Sequence, residues 1–163
     1  MDYYHGSNKQ WIIWLSFLIA IILEQMPWPE QFIYYRPMWL LLILIYWVMA
    51  LPHRISIGTG FFLGILIDLI QGSTFGVNAL AYSIICYLIS CKHNLIRNIP
   101  LWKQSIVVSG LSVFMNFTIF SAEFFSSVIL FHMKIFWNCL INAILWPWIF
   151  LLLRKIRHQF LVH

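Results

Sequence analysis

Residues 60–72 read GFFLGILIDLIQG, and this stretch decides the fold class. Eleven of its thirteen residues are apolar or glycine, yet Asp68 stands near its end. Gly60, Gly64 and Asp68 are spaced by four, so each step drifts about 40° around a helix and all three share one face. The other positions, Phe61, Phe62, Leu63, Ile65, Leu66 and Ile67, are large and oily. Small residues at this spacing let a second helix approach closely inside a membrane. Asp68 is thereby turned toward protein rather than lipid.

The rest of the chain has the same character. Of its 163 residues 62% are hydrophobic and 9% charged, against about a quarter charged in a soluble domain. The apolar residues come in continuous blocks rather than in strict alternation, which selects helices over a closed barrel. The expected fold is all-α, a polytopic membrane protein forming a single transmembrane domain over 1–163. Its six spans are placed at about Trp11–Met26, Met38–Leu51, Ile55–Gln71, Phe75–Cys91, Gln104–Ala122 and Ile135–Leu153. The first block lacks a small-x-small cleavage site before EQMPWPEQF and reads as a retained helix. Pro37 and Pro52 frame the second span as a first-turn residue and a stop. Pro147, between Trp146 and Trp148, is expected to kink the last span or tighten a turn there.

Charge sets the orientation. With a cytoplasmic N-terminus, Lys9, Arg54, Lys92, Arg97, Lys103, Arg154, Lys155 and Arg157 fall inside and only Arg36 and Lys134 outside. This asymmetry predicts both termini in the cytoplasm and an even number of spans. Glu24, Glu30 and Glu123 collect on the outer side. Trp28, Tyr34, Tyr35, Trp102 and Trp137 sit near span ends, as interfacial aromatics do. The net charge of +5 follows from this pattern and does not point to nucleic acid.

Burying a carboxylate at a membrane helix centre costs about 2.5–3.5 kcal/mol even on the lenient insertion scale. Asp68 therefore needs a partner, a proton or water. The fifth span carries a polar stripe of Ser105, Ser109, Ser112, Asn116 and Glu123 within about 60° of one another. Asn116 and Asp68 both lie roughly 18 Å from the inner ends of their spans. The sixth span adds Asn138 and Asn142. The expectation is that the third, fifth and sixth spans converge. Asp68, Asn116, Asn138, Asn142, Ser109 and Ser112 would then form one intramembrane polar cluster or partner-docking site. Such bonds average about 0.6 kcal/mol in membranes, so register and specificity are their expected use. A ligand or proton path is the competing reading.

Other signals are bland. Cys86, Cys91 and Cys139 lie in oily segments without metal-ligand spacing and read as packing thiols. The histidines fall at ends and loops, with no pairing that would bind zinc. No catalytic triad or phosphate loop is apparent, so no enzymatic activity, cofactor or metal is expected.

The stretches WIIWLSFLIA (11–20), RPMWLLLILIYWVMALPHR (36–54), GTGFFLGILIDLIQGSTFGVNALA (58–81) and LWPWIFLLLRKIR (145–157) together carry a resemblance. In their order, spacing and total length they resemble the MreD family of rod-shape-determining proteins, in its enterobacterial form. Arg36–Pro37, Gly60, Gly64, Asp68 and Gly76 match positions typical of that family. The resemblance implies a non-catalytic bacterial inner-membrane subunit of the cell-wall elongation machinery. It implies MreC as direct partner, with MreB, RodA and its penicillin-binding transpeptidase in the same complex organising peptidoglycan synthesis. It also implies a fold similar to the substrate-binding subunit of energy-coupling-factor transporters. That fold makes a membrane carrier of a small ligand or lipid-linked precursor the alternative function. In the scaffold reading, the small-residue groove of the third span receives the single span of MreC, and the basic inner face meets membrane lipids.

Overall fold

The structure is a computed structural model that describes residues 7–27, 29, 31, 38–51, 55, 57–72, 76–125 and 134–159. Among the described residues there are seven helices: α1 (Ser7–Gln25), α2 (Trp39–Ala50), α3 (Ile57–Gln71), α4 (Val77–Cys91), α5 (His93–Asn98), α6 (Leu101–Phe125) and α7 (Lys134–Gln159). Two stretches are long and apolar enough to cross a membrane, Leu101–Ala122 in α6 and Trp137–Gln159 in α7. The apolar parts of α1, α2, α3 and α4 are shorter. At 1.5 Å per residue, the 15 residues of α3 or α4 extend about 22 Å, against a hydrocarbon layer of about 30 Å.

The centre of the bundle is α2. Its sequence, WLLLILIYWVMA, is oily on every side, and every residue from Leu40 to Leu51 is buried. A helix apolar all round must be covered all round or face lipid. Here it is covered by protein: α2 packs against α1, α4, α5, α6 and α7. Two tight pairs complete the arrangement, α3 with α4 and α6 with α7. The Trp14 ring meets Phe62 edge-on at 6.4 Å, which links α1 to α3. Buried side chains from α1, α2, α3, α4, α6 and α7 form one continuous hydrophobic cluster.

Outward, the surface is apolar too. Trp14, Leu18 and Ile22 on α1, Leu69 and Ile70 on α3, Phe117 on α6, and Ile144, Trp148 and Leu152 on α7 are all exposed. A soluble protein rarely exposes such a continuous oily surface. Around a membrane helix it is the solvated state.

Three expectations are revised. The third span does not converge with the fifth and sixth: α3 packs along α4, and α2 occupies the centre. The segment between the fourth and fifth spans, placed outside both by the sequence reading, contains the short helix α5. Of the two outcomes expected at Pro147, a kink or a turn, the turn is excluded, since α7 runs unbroken through it. Arg36, Pro37, Pro52, Arg54, Trp28, Glu30, Tyr34 and Tyr35 lie outside the described residues, as do the side chains of Lys9, Glu123 and Lys134.

Candidate functional site

The turn between α3 and α4 explains the lone aspartate. Gly72 adopts a left-handed φ of 64°, which stops α3 after Gln71. Gly76, with φ 96°, is the N-cap of α4. A glycine in that conformation suits the backbone but carries no side chain to accept the first N–H groups of the helix. Asp68 accepts them instead, from one turn inside α3. Its Oδ2 takes the Gly76 N–H at 2.9 Å and, at a long 3.5 Å, the Ala79 N–H. Its Oδ1 takes the Asn78 side-chain N–H at 2.8 Å and the Asn78 backbone N–H at 3.3 Å. The carboxylate is 2% exposed. Its position at the positive end of the α4 dipole favours a negative charge there. In hydrocarbon no water replaces a missing acceptor, so each uncapped N–H would be costly.

Gly60 and Gly64 make this geometry reachable. A Cβ placed on Gly64 would lie 2.6 Å from the Ala79 nitrogen and overlap the backbone around it. One on Gly60 would lie 2.5 Å from Cys86 Sγ and 3.0 Å from the Tyr82 carbonyl oxygen. The two glycines therefore hold α3 against the backbone of α4, which keeps Asp68 within reach of the α4 N-terminus. Their groove is filled from within the chain and is not open to a partner's helix. Gly76 has nothing within 4 Å of an added Cβ, so it serves backbone conformation rather than helix packing.

A second cap of the same kind lies across the bundle. The α2 N-cap, Met38, has no side-chain acceptor of its own. Asn142 on α7 supplies one: its Oδ1 accepts the Met38 N–H at 3.1 Å. The Asn142 amide donates to Ser112 Oγ on α6 and to Asn138 Oδ1, both at 3.0 Å. Asn116 donates to the Ser112 carbonyl at 3.0 Å and to Cys139 Sγ at 3.8 Å. Ser109, half-buried on α6, stands outside this network. Ser105 and Ser112 also bond back to carbonyls of their own helix, as hydroxyls on membrane helices commonly do.

The single cluster expected from the sequence is thus two separate sets. Asp68 bonds to the start of α4, while Asn116, Asn138, Asn142 and Ser112 join α6, α7 and the start of α2. Two further ties had no counterpart in the sequence reading. Trp47 Nε1 on α2 donates to Ser16 Oγ on α1 at 2.9 Å. Gln104, 2% exposed, donates to the carbonyls of Ile96 and Ile99 at 2.9 and 3.3 Å, and its Oε1 accepts from Trp146 Nε1 at 3.3 Å. Asn78 was visible only as a lone amide in an oily run, and the short distance from Gly76 was its one signal.

Replacing Asn142 with Leu leaves the Met38 N–H, the Ser112 hydroxyl and the Asn138 carbonyl without this partner. The expected loss is about 2 kcal/mol of stability, at the middle of the range for buried polar groups left unsatisfied. Denaturant titration of the purified protein in mild detergent measures it. A loss no larger than that of Ser109→Ala would mean that the cap has no energetic weight.

Comparison with known proteins agrees with the family that these stretches resemble. The family model described as rod shape-determining protein MreD matches residues 5–156. A rod shape-determining protein MreD of Haemophilus influenzae is 43% identical over 155 residues, covering 94% of this chain and 96% of the relative. No solved structure matches. With a match across nearly its whole length and close identity to a curated member, this chain belongs to the MreD family of rod shape-determining proteins.

Proposed function

We propose that the chain is a non-catalytic scaffold of the bacterial inner membrane, with both termini cytoplasmic. In this reading it binds the single span of MreC laterally and so helps to organise peptidoglycan synthesis. MreB, RodA and its penicillin-binding transpeptidase act in the same complex. The observation that carries the reading is how the intramembrane polar groups are used. Asp68 and Asn142 cap helices of their own bundle, while Ser16 and Gln104 tie helices together. What faces outward is apolar, and recognition by such a surface is helix against helix.

The α3–α4 pair is the surface we assign to MreC. Its outward side carries Phe61, Phe62, Leu69 and Ile70 on α3 and Leu80, Tyr87 and Leu88 on α4. Both helices are short relative to the bilayer, and hydrophobic mismatch favours covering a short pair with another helix. The glycine-lined groove has no such role, because α4 fills it. The carrier alternative has less support: the centre of the bundle, where a carrier would need room, is packed with α2.

Site-specific photocrosslinkers at Phe61, Phe62 and Leu69, compared with Leu151 and Leu152 on α7, test the assignment in membranes. MreC adducts should form at the α3 positions at least several-fold above the α7 positions. Equal or reversed yields would move the interface off α3. Adducts at none of the five would remove MreC as a lateral partner.

A further inference from the structure

The geometry points to a chain that, while free of MreC, thins the bilayer on its α3–α4 side and prefers lipids with short acyl chains there. The length of the lipid-facing surface differs around the bundle. α6 carries an apolar stretch of 22 residues, Leu101–Ala122, about 33 Å long, and α7 runs unbroken for 26 residues. α4 has 15 residues between its caps at Gly76 and Lys92, about 22 Å. It packs tightly against α3, which also has 15. Exposed Phe61, Phe62, Leu69 and Ile70 on α3 and Leu80 and Leu88 on α4 make this short side apolar. A hydrocarbon layer of about 30 Å is matched by α6 and missed by α4 by roughly 8 Å.

A short apolar stretch is accommodated by a thinner bilayer, by flanking side chains that snorkel, or by association with another helix. Lengthening the pair is blocked. Gly72, at φ 64°, ends α3, and Asp68 Oδ2 holds the Gly76 N–H at 2.9 Å, so the turn does not wind into either helix. Tilting the pair would only shorten its reach. Snorkelling fails at this turn, because residues 69–76, LIQGSTFG, include no lysine or arginine. Gln71 and Gly72 are exposed, and the last carbonyls of α3 need water or headgroups. At the other end Lys92 is exposed, and α5 after it has no buried residue. Its long stem bridges part of the gap there, so the mismatch falls mainly on the α3–α4 turn. Without a partner helix, thinning is the response that remains. A failed crosslink to MreC leaves this inference standing, since it concerns the chain alone.

The test uses the purified full chain with Cys91→Ser, in which Cys86 and Cys139 stay buried, carrying a fluorophore at Phe61→Cys or at Ile144→Cys. Both replaced side chains are exposed and lie away from the ends of α3 and α7. Each protein is reconstituted without MreC into vesicles containing brominated dioleoyl phosphatidylcholine as quencher. Dimyristoleoyl or dierucoyl phosphatidylcholine, with shorter and longer chains, then competes for the lipid positions beside the label. The short lipid should relieve quenching at position 61 about threefold more than the long one does, the size expected when each ångström of mismatch has a small cost. At position 144 the two lipids should compete equally, or the long one better. The same ratio at both positions would overturn the asymmetry. A long lipid that competes as well as the short one at position 61 would overturn the thinning. No quenching at position 61 would mean that a second copy covers the pair, and would overturn it as well.

Discussion

Asp68→Leu should lose about 4 kcal/mol of stability, because two close donors and two longer ones at the α4 N-terminus lose their acceptor in a place water does not reach. Asp68→Asn should lose only about 1–2 kcal/mol, since one carbonyl oxygen remains to accept. The order follows from the geometry. Gly76 N–H and the Asn78 side chain lie at 2.9 and 2.8 Å from different carboxylate oxygens. An asparagine serves one of them and turns its own N–H₂ toward the other. Reversible denaturant titration in mild detergent measures both variants, and complementation of rod shape reports the consequence in cells. Shape should be restored by the asparagine variant and not by the leucine variant. A leucine variant within about 1 kcal/mol of the parent would mean that the cap is not what keeps this carboxylate buried.

Gly64→Ala should cost about 3 kcal/mol or more, at the upper end of what overpacking usually costs. The added methyl meets the Ala79 backbone, which cannot rotate away as a side chain does. Either α3 and α4 move apart, and Asp68 leaves the α4 N-terminus, or the new contact stays strained. Gly110→Ala on α6 is the matched control. Nothing lies within 4 Å of its Cβ, so the change should be neutral or stabilising by up to about 1 kcal/mol through helix propensity. The same titration measures both. Equal effects at the two glycines would show that Gly64 is a propensity effect rather than a contact between helices. Coupling provides a second check. If close approach serves the cap, Gly64→Ala with Asp68→Leu should cost less than the sum of the two changes.

Several features are legible in the sequence. The oily blocks identified a helical membrane protein, because a bilayer admits only segments that satisfy their own backbone hydrogen bonds. The spacing of Gly60, Gly64 and Asp68 placed one acid on a small-residue face, and a face of that kind meets a helix. Asn138 and Asn142, four apart on one helix, stood out in the same way, and the amides do bond to one another. Which helix met which face was not legible. Depth and residue type match Asp68 with Asn116, but similar depth brings the two no closer around the bundle. Ser16, Asn78 and Gln104 escaped notice because a single polar residue in an oily run has no period.

The sequence by itself determined that the chain is helical, apolar on its outside and polar at a few buried points, and that it is similar to a rod shape-determining family. Only the tertiary structure decided that α2 is the centre, that α4 fills the glycine groove, and that Asp68 and Asn142 cap helices other than their own. The reason is the solvent. In water, apolar periodicity tells a helix's inside from its outside. In a membrane, lipid and protein are equally oily neighbours, so that signal vanishes and close backbone approach and hydrogen-bond partners decide the packing.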